Sequence, residues 1–382
     1  MRYKLPELCN IQYGYAFDSK KFTEDDTYPP LIRIRDVKRG YSETFYAGDY
    51  PQEYIVHAGD LLIGMDGEFN IARWNSRDAL LNQRVCKITA KEGINEEYIR
   101  FALSKGLKII ENKTSFVTVK HLSAKELNKI ELSIPVGLEQ NKIACILKNI
   151  ENIINIRQRQ LEKLSEIVRA RFVEMFGEPQ INPFHWDVVN ISEVIGGKVS
   201  NGFFAKRDDY SDDGNVSVLG VANIVNRMYS KVDELPKTNA NNKDIEKFEV
   251  KYGDMLFCRS SLVAEGIGKA SIVPEDVQDN VLFECHVIRL PLNLNKCVPE
   301  FIQTLSTMDF FRNQVVAQSK TATMTTIGQD GILKTDIILP PIEKQKEFYD
   351  FVKQIDKSKD SVQKALDEAQ LLFDSLMQQY FG

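Results

Sequence analysis

The chain of 382 residues has few of the patterns that mark metal, redox or disulfide sites. Its six cysteines form no C-x-x-C pair and its four histidines are scattered, which argues against a zinc ribbon, an iron–sulfur cluster or a disulfide scaffold. No apolar run approaches the roughly 18 residues of a membrane-spanning helix, and the N-terminal residues lack the apolar stretch of a secretory signal. We therefore expect a cytoplasmic protein with no role at a membrane.

Catalytic patterns are equally scarce. The segment 264–269 ends in Gly-Lys like a nucleotide-binding loop, but Ala270 stands where that loop needs Ser or Thr. No serine or cysteine lies in a G-x-S-x-G nucleophile elbow. We predict that the chain is not an enzyme and that it holds no metal and no cofactor.

The charge balance is slightly acidic, with 49 basic and 54 acidic residues giving a net charge of −5. Nucleic-acid binders usually carry a basic domain, so the total argues weakly against that class. A total says nothing about a local basic stripe, however, and the excess acidity lies in the second half of the chain.

What the sequence does contain is a duplication. The segment IPVGLEQNKI at 134–143 returns as LPPIEKQKEF at 339–348, with Pro and Gln at the same spacing. Other matches follow the same order in both halves, which predicts a tandem pair of similar units. The matching residues are Pro135 and Pro340, Gln140 and Gln345, Gly14-Tyr15 and Gly202-Phe203, Gly59-Asp60 and Gly253-Asp254, and the Phe-Gly pairs at 176–177 and 381–382.

Heptad repeats follow each copy of that proline. Apolar residues recur with a mean spacing of 3.5 from Ile143 to Met175 and again from Phe348 to Tyr380, as in the seam of a coiled coil. Two such helices in one chain can bury their stripes against each other, and an antiparallel pairing would hold the preceding segments at opposite ends of a rod. Arg157, Arg171 and Lys359 interrupt the seams, either as edge residues with solvated ends or as register-setting residues.

The remaining segments show mixed α/β patterns, and the fold class is predicted as α+β. We expect two mixed α/β domains separated by two long antiparallel coiled-coil helices in a pseudo-twofold tandem repeat. The predicted boundaries are 1–136 and 181–341 for the domains and 137–180 and 342–382 for the helices. Within the domains, the patterns predict strands at 31–34, 60–64, 216–219 and 255–258 and helices at 96–112 and 299–316.

These residues also carry a resemblance to a known family. The features are GDLLIG at 59–64, NQRV at 82–85, Pro135 with LEQ at 138–140, and RFVEMFG at 171–177, most of them repeated more weakly in the second half. In this order the chain resembles, over essentially its whole length, the DNA-specificity (S) subunits of type I restriction–modification systems.

The resemblance implies two target-recognition domains, each reading one half of a bipartite site in double-stranded DNA. It also implies that the helices fix the spacing of the half-sites and dock two methyltransferase (M) subunits, with restriction (R) subunits in the larger complex. An S subunit has no catalysis of its own. Two alternatives stay open, namely a specificity module of a related methyltransferase or phage-defence complex and a coiled-coil scaffold that tethers two protein-binding domains.

Candidate DNA-contacting residues are chosen from polar and basic segments, because base edges are read by residues such as Arg and Asn and phosphates are gripped by Ser, Thr and Lys. The alternative for each residue is an ordinary solvated surface position. In the first domain they are Arg33, Arg35, Lys38 and Arg39 on a predicted strand and turn, Asn70, Arg73 and Trp74 in a predicted loop at 65–75, and Lys113, Thr114, Ser115, Thr118 and Lys120 at 112–121. In the second domain they are Lys206, Arg207, Arg259, Ser260, Ser261 and Lys269, with Lys320, Thr321 and Thr323 at 318–326.

Overall fold

The computed structural model describes residues 2–113, 121–321 and 324–382, with the side chain of Lys113 left aside. The chain forms two compact units, and each combines a globular part with portions of two long helices. The first unit comprises the residues up to Gln158 together with Gln363–Gly382, and the second comprises Arg159–Val362. No helix within the described ranges is long and apolar enough to cross a bilayer.

The first half of the chain contributes eleven strands and five helices among the described residues. The helices are α1 (Leu5–Leu8), α2 (Ile34–Arg39), α3 (Glu96–Lys113), α4 (Ala124–Leu127) and α5 (Gly137–Phe176). The strands are β1 (Arg2–Lys4), β2 (Cys9–Tyr13), β3 (Phe22–Thr23), β4 (Leu31–Ile32), β5 (Phe45–Tyr46), β6 (Ile55–Val56), β7 (Leu61–Gly64), β8 (Ile71–Arg73), β9 (Ala79–Leu81), β10 (Val85–Ala90) and β11 (Glu131–Ser133).

The second half contributes twelve strands and five helices in the described part of the chain. The helices are α6 (Asn242–Phe248), α7 (Pro299–Ser306), α8 (Asp309–Ala317), α9 (Gln329–Leu333) and α10 (Ile342–Phe381). The strands are β12 (Asp187–Asn190), β13 (Ser200–Asn201), β14 (Val216–Leu219), β15 (Lys237–Thr238), β16 (Asp254–Cys258), β17 (Ser260–Ser261), β18 (Ala270–Ile272), β19 (Val281–Phe283), β20 (Val287–Pro291), β21 (Lys320–Thr321), β22 (Thr325–Thr326) and β23 (Asp336–Leu339).

The two globular parts repeat one topology. The first has a four-stranded sheet in the order β2-β10-β7-β8, and the second has the corresponding sheet in the order β13-β20-β16-β18. Each part also has a three-stranded sheet with one parallel pair, β4 with β9 and β14 with β19. The duplication in the sequence is therefore a duplication of the fold, and the predicted α+β tandem repeat is confirmed.

In the first unit, the core is formed by β7, β10 and α3 together with parts of both long helices. Leu147, near the start of α5, and Met377, near the end of α10, belong to the same buried cluster. Tyr98 of α3 packs edge-on against Phe381, with ring centroids 5.2 Å apart. The start of one long helix thus lies beside the end of the other, so the two run antiparallel within this unit.

In the second unit, aromatic rings join the opposite ends of the same helices. Phe172, near the end of α5, contacts Phe348, near the start of α10, with a centroid distance of 5.5 Å. Phe172 also stacks on Phe301 of α7 at 5.2 Å. All three side chains are fully buried, and burying a large apolar side chain contributes about 1.5–3 kcal/mol. The apolar stripe therefore packs against both the partner helix and the domain, while a coiled coil along the whole seam stays a prediction.

The repeated Pro and Gln have a shared structural role. The Gln345 side chain is fully buried, accepts the Val298 N–H at 2.9 Å and donates to the Pro340 carbonyl at 2.7 Å. The Gln140 side chain accepts the Asn95 N–H at 2.9 Å and donates to the Pro135 carbonyl at 3.0 Å. Each glutamine thereby ties the start of a long helix to the start of a domain helix. The two backbone groups that it satisfies are buried for Gln345 and partly buried for Gln140.

Three local predictions are wrong. The strand predicted at 31–34 ends at Ile32, because the Asp36 carboxylate accepts the Arg33 N–H at 2.9 Å and starts helix α2. The predicted loop at 65–75 contains strand β8. The single helix predicted at 299–316 is two helices that break around Thr307, whose hydroxyl donates to a carbonyl of the last turn of α7.

Candidate nucleic-acid interface

Three chain segments meet on the surface of the first unit just after β7. The Met65 N–H donates to the Arg84 carbonyl at 2.8 Å, and the Leu122 N–H donates to the Met65 carbonyl at 2.7 Å. These bonds bring together the side chains of Asp66, Arg84 and His121, which we call the first polar cluster. His121 Nδ1 lies 2.5 Å from Asp66 Oδ1 and 3.1 Å from Arg84 Nη1.

The second unit has the same arrangement after β16. The Arg259 N–H donates to the His286 carbonyl at 2.8 Å, and the Ile327 N–H donates to the Arg259 carbonyl at 3.0 Å. The side chains brought together are Ser260, His286 and Thr326, which we call the second polar cluster. His286 Nδ1 lies 3.2 Å from Ser260 Oγ, and Ser260 is opposite Thr326 in the pairing of β17 with β22.

Gly14 packs closely against the turn that carries Arg84, and Gly202 packs in the same way against the turn that carries His286. A Cβ on Gly14 would lie 2.0 Å from the Asn82 carbonyl oxygen, and one on Gly202 would lie 2.2 Å from the Glu284 carbonyl oxygen. Only glycine permits so close an approach of two backbones. The matched Gly14 and Gly202 of the sequence repeat therefore hold equivalent turns in equivalent places.

The chemistry of the clusters suits polar recognition. The Arg84 side chain is 52% exposed and the His121 side chain 45%, so both reach solvent although they contact each other. Arginine and histidine supply N–H donors, and the hydroxyls of Ser260 and Thr326 both donate and accept. Such groups match the edges of bases and the oxygens of phosphates. No group of three metal-ligating side chains occurs within residues 2–113, 121–321 and 324–382.

Several predicted residues of the second domain lie together beside the second polar cluster. Ser260 and Ser261 form β17, which pairs with β22, and β22 pairs with Lys320 and Thr321 of β21. Lys320 and Thr321 are exposed, whereas the Arg259 side chain is half-buried and donates to the Cys285 carbonyl at 3.2 Å. Thr114, Ser115, Thr118, Lys120 and Thr323 lie outside the described residues, as does the side chain of Lys113.

The basic residues of the first domain lie on a helix, not on a strand and turn. Arg33 is the N-cap of α2, and Arg35, Lys38 and Arg39 are exposed along it. Lys38 Nζ lies 3.7 Å from a carboxylate oxygen of Glu68, two residues after Asp66 of the first polar cluster. Exposed pairs of this kind contribute little to stability, so these cations stay available to an anionic ligand.

Two candidates of the predicted loop at 65–75 are bonded within the fold. Arg73 donates hydrogen bonds to Glu96 and Glu97 at 2.7–3.0 Å and to the Gly59 carbonyl at 2.7 Å. Trp74 is 1% exposed and its Nε1–H donates to a carbonyl three residues later. The pairing of β8 with β7 positions Arg73, and the Trp74 N–H donates to the Asp60 carbonyl at 2.9 Å just beyond that pairing. Asn70 is half-buried and bonds the Glu68 carbonyl at 3.3 Å.

Three candidates of the second domain have no hydrogen bond or ion pair with the side chains of the second polar cluster in the described structure. Lys206 and Arg207 are exposed at a single helical turn, where the Lys206 N–H donates to Asp209 at 2.8 Å. Lys269 donates to Asn226 at 2.8 Å and lines a cavity beside both long helices.

The clusters include residues that sequence reasoning missed. Asp66, Arg84, His121 and His286 were not singled out, although Arg84 lies within the NQRV motif and His286 at the corresponding place of the second copy. Counting from the Gly-Asp pairs matches Asp66 with Ser260, but the longer segment that follows in the second copy hides the match of Arg84 with His286.

Comparisons with known proteins agree with this architecture. A family model of the type I restriction modification DNA specificity domain matches residues 1–166 and 183–370. The type I restriction enzyme EcoBI specificity subunit of Escherichia coli is 29% identical over 405 residues, covering 99% of this chain and 84% of that protein. The MjaVIII specificity subunit of Methanocaldococcus jannaschii is 22% identical over 364 residues, covering 90% and 84%.

A solved structure has the same fold. The crystal structure of a type I restriction–modification S subunit from M. genitalium matches with a TM-score of 0.56 at 12% identity, covering 100% of this chain and 96% of that one. With two copies of the specificity domain over most of its length, the chain belongs to the family of type I restriction–modification DNA specificity subunits.

Proposed function

We propose that the two units each read one half of a bipartite site in double-stranded DNA. The observation that carries this proposal is the pair of polar clusters, which occupy equivalent places in the two copies of the fold. Recognition of two half-sites requires two similar domains that each present hydrogen-bond donors to solvent, and the two units do so. The different residues in the clusters would give the two half-sites different sequences.

Within each unit, we assign base reading and phosphate binding to different residues. Arg84 has the exposed guanidinium that suits a bidentate contact with guanine O6 and N7. The cations of α2 beside the first cluster, and Lys320 and Thr321 beside the second, suit phosphate oxygens. The net charge of −5 suggests that the chain alone binds DNA weakly and that partner subunits add positive surface.

We further propose that the long helices set the half-site spacing and dock two methyltransferase subunits, with restriction subunits joining the larger complex. Each helix has 40 residues, which corresponds to about 60 Å at 1.5 Å per residue. This length is sufficient for half-sites about 34–36 Å apart. Exposed apolar side chains on the helices support protein docking, since such residues mark interaction sites. They are Ile153, Ile156, Leu371 and Leu372.

In this assignment the chain supplies specificity in the cytoplasm, and its partner subunits supply catalysis. Methylome sequencing of cells that express the chain with its methyltransferase partner tests the central proposal. We expect one bipartite methylated motif with a fixed spacer. A contiguous motif, or no sequence-dependent methylation, would contradict the proposal.

Two substitutions assign the half-sites. Arg84→Ala should relax one half of the motif and His286→Ala the other, each lowering affinity of the assembled complex by about 1–3 kcal/mol. The control Lys243→Ala removes an exposed cation from α6 and should leave the motif unchanged. A protein-tethering scaffold would instead show no steep salt dependence of DNA binding by the complex.

A further inference from the structure

Four exposed apolar residues lie next to the residues of the second polar cluster, either along the chain or across strand pairs. Leu262 is 81% exposed, Phe204 69%, Val263 57% and Met324 38%, so each leaves much of its apolar surface in water. Surface apolar residues scattered singly are ordinary, but several converging on one site point to a binding function.

Backbone contacts place these residues at the cluster. Leu262 and Val263 directly follow β17, and the Val263 N–H donates to Ser261 Oγ at 3.3 Å. Met324 precedes the β22 residue that pairs with Ser261. Phe204 follows Phe203, which forms a β-bridge with Glu284, two residues before His286.

The first unit has different chemistry at the same positions. Counting from the cluster residues Asp66 and Ser260, the position of Leu262 is taken by Glu68, whose side chain is 69% exposed. The position of Phe204 is taken by Ala16. The position of Val263 is taken by Phe69, which is buried in the core of the first unit. Large apolar side chains are therefore exposed at these three positions only in the second unit, and the common fold does not require that exposure.

We propose that Leu262 and Val263 contact the 5-methyl groups of thymines in the half-site read by the second unit. This inference rests on the proposed DNA-reading function. In the major groove the thymine methyl is the one apolar group that a base presents, and it contacts apolar side chains. Lys320 and Thr321 are exposed on β21, in the three-stranded sheet with β17 and β22, and suit contacts with the flanking phosphates. The half-site read by the second unit accordingly contains A·T pairs.

Deoxyuridine, which lacks only the 5-methyl group of thymine, provides the test. Once the methylated motif is known, duplexes with a single T-to-U replacement at each A·T pair are bound to the complex of the full chain with its methyltransferase partner. Losing the burial of one methyl group should weaken binding by about fourfold. We expect this loss in one half-site only, and we expect it to vanish in the double variant Leu262→Ala with Val263→Ala.

A matched control variant, and a measurement of affinity for the methyltransferase, separate a loss of thymine contacts from other effects of the double variant. Val188→Ala removes a similarly exposed apolar side chain from β12 and should keep the wild-type response to deoxyuridine. Sequence-specific binding with no loss above twofold for any replacement, or a loss that persists in the double variant, would overturn the inference. A half-site of G·C pairs alone, or a double variant that loses only its affinity for the methyltransferase, would overturn it as well. Complete absence of bipartite DNA recognition would instead refute the proposed function.

Discussion

The buried Gln345 gives the sharpest prediction for how the long helices are attached to their domains. Replacing it by methionine keeps a similar volume but removes the acceptor for the Val298 N–H and the donor to the Pro340 carbonyl. Leaving a buried backbone group unsatisfied costs about 1–3 kcal/mol. Gln345→Met should therefore lower the free energy of unfolding by about 2–6 kcal/mol, reduced by whatever the more apolar side chain recovers.

Urea unfolding combined with amide hydrogen exchange measures this effect where it arises. Protection should fall within 159–362, and the Val298 amide should lose it first. The equivalent substitution Gln140→Met should instead lower protection in the first unit, beginning at Asn95.

The control is Gln363→Met, because this exposed side chain bonds only to Asp367 one turn later on the same helix. Its effect should stay within about 0.5 kcal/mol. If Gln345→Met costs less than about 1 kcal/mol, or if exchange at Val298 is unchanged, the glutamine does not act as the tie described above.

Other predictions concern ionic groups. Arg73→Ala should destabilise the first unit, measured by its melting temperature, whereas Arg84→Ala should leave stability within about 0.5 kcal/mol and lower only DNA binding. Burial raises the pKa of Glu97, but the charge of Arg100 and hydrogen bonds from both arginines it contacts lower that pKa overall. The ionised Glu97 therefore stabilises the fold above its unfolded pKa, and this stabilisation is lost as pH falls through its lowered folded pKa. Arg100→Ala should reduce the loss of stability that is seen when the free energy of unfolding is measured at decreasing pH. Burial raises the pKa of Glu300, so its stability contribution is lost as pH rises, and Glu300→Gln should raise the melting temperature at pH 8.

Sequence alone determined the features that depend on local pattern. The duplication, the two long helices and the mixed sheets follow from motif spacing and from apolar periods of 3.5 and 2, which short stretches of chain express directly. It also marked Gln140 and Gln345 as a matched pair, although it could not say what they bond. Helix boundaries were less certain, because the break near Thr307 depends on side-chain bonds to carbonyls and not on the apolar period.

Only the tertiary structure decided which polar residues face solvent together. Arg73 and Arg84 look alike in the sequence, but one is held by Glu96 and Glu97 and the other is half exposed. His121 meets Asp66 across 55 positions of chain, and such contacts depend on sheet pairing that no local pattern encodes. The local pattern of the sequence sets the helices and strands, whereas the register and packing of those elements select the side chains that can meet a ligand.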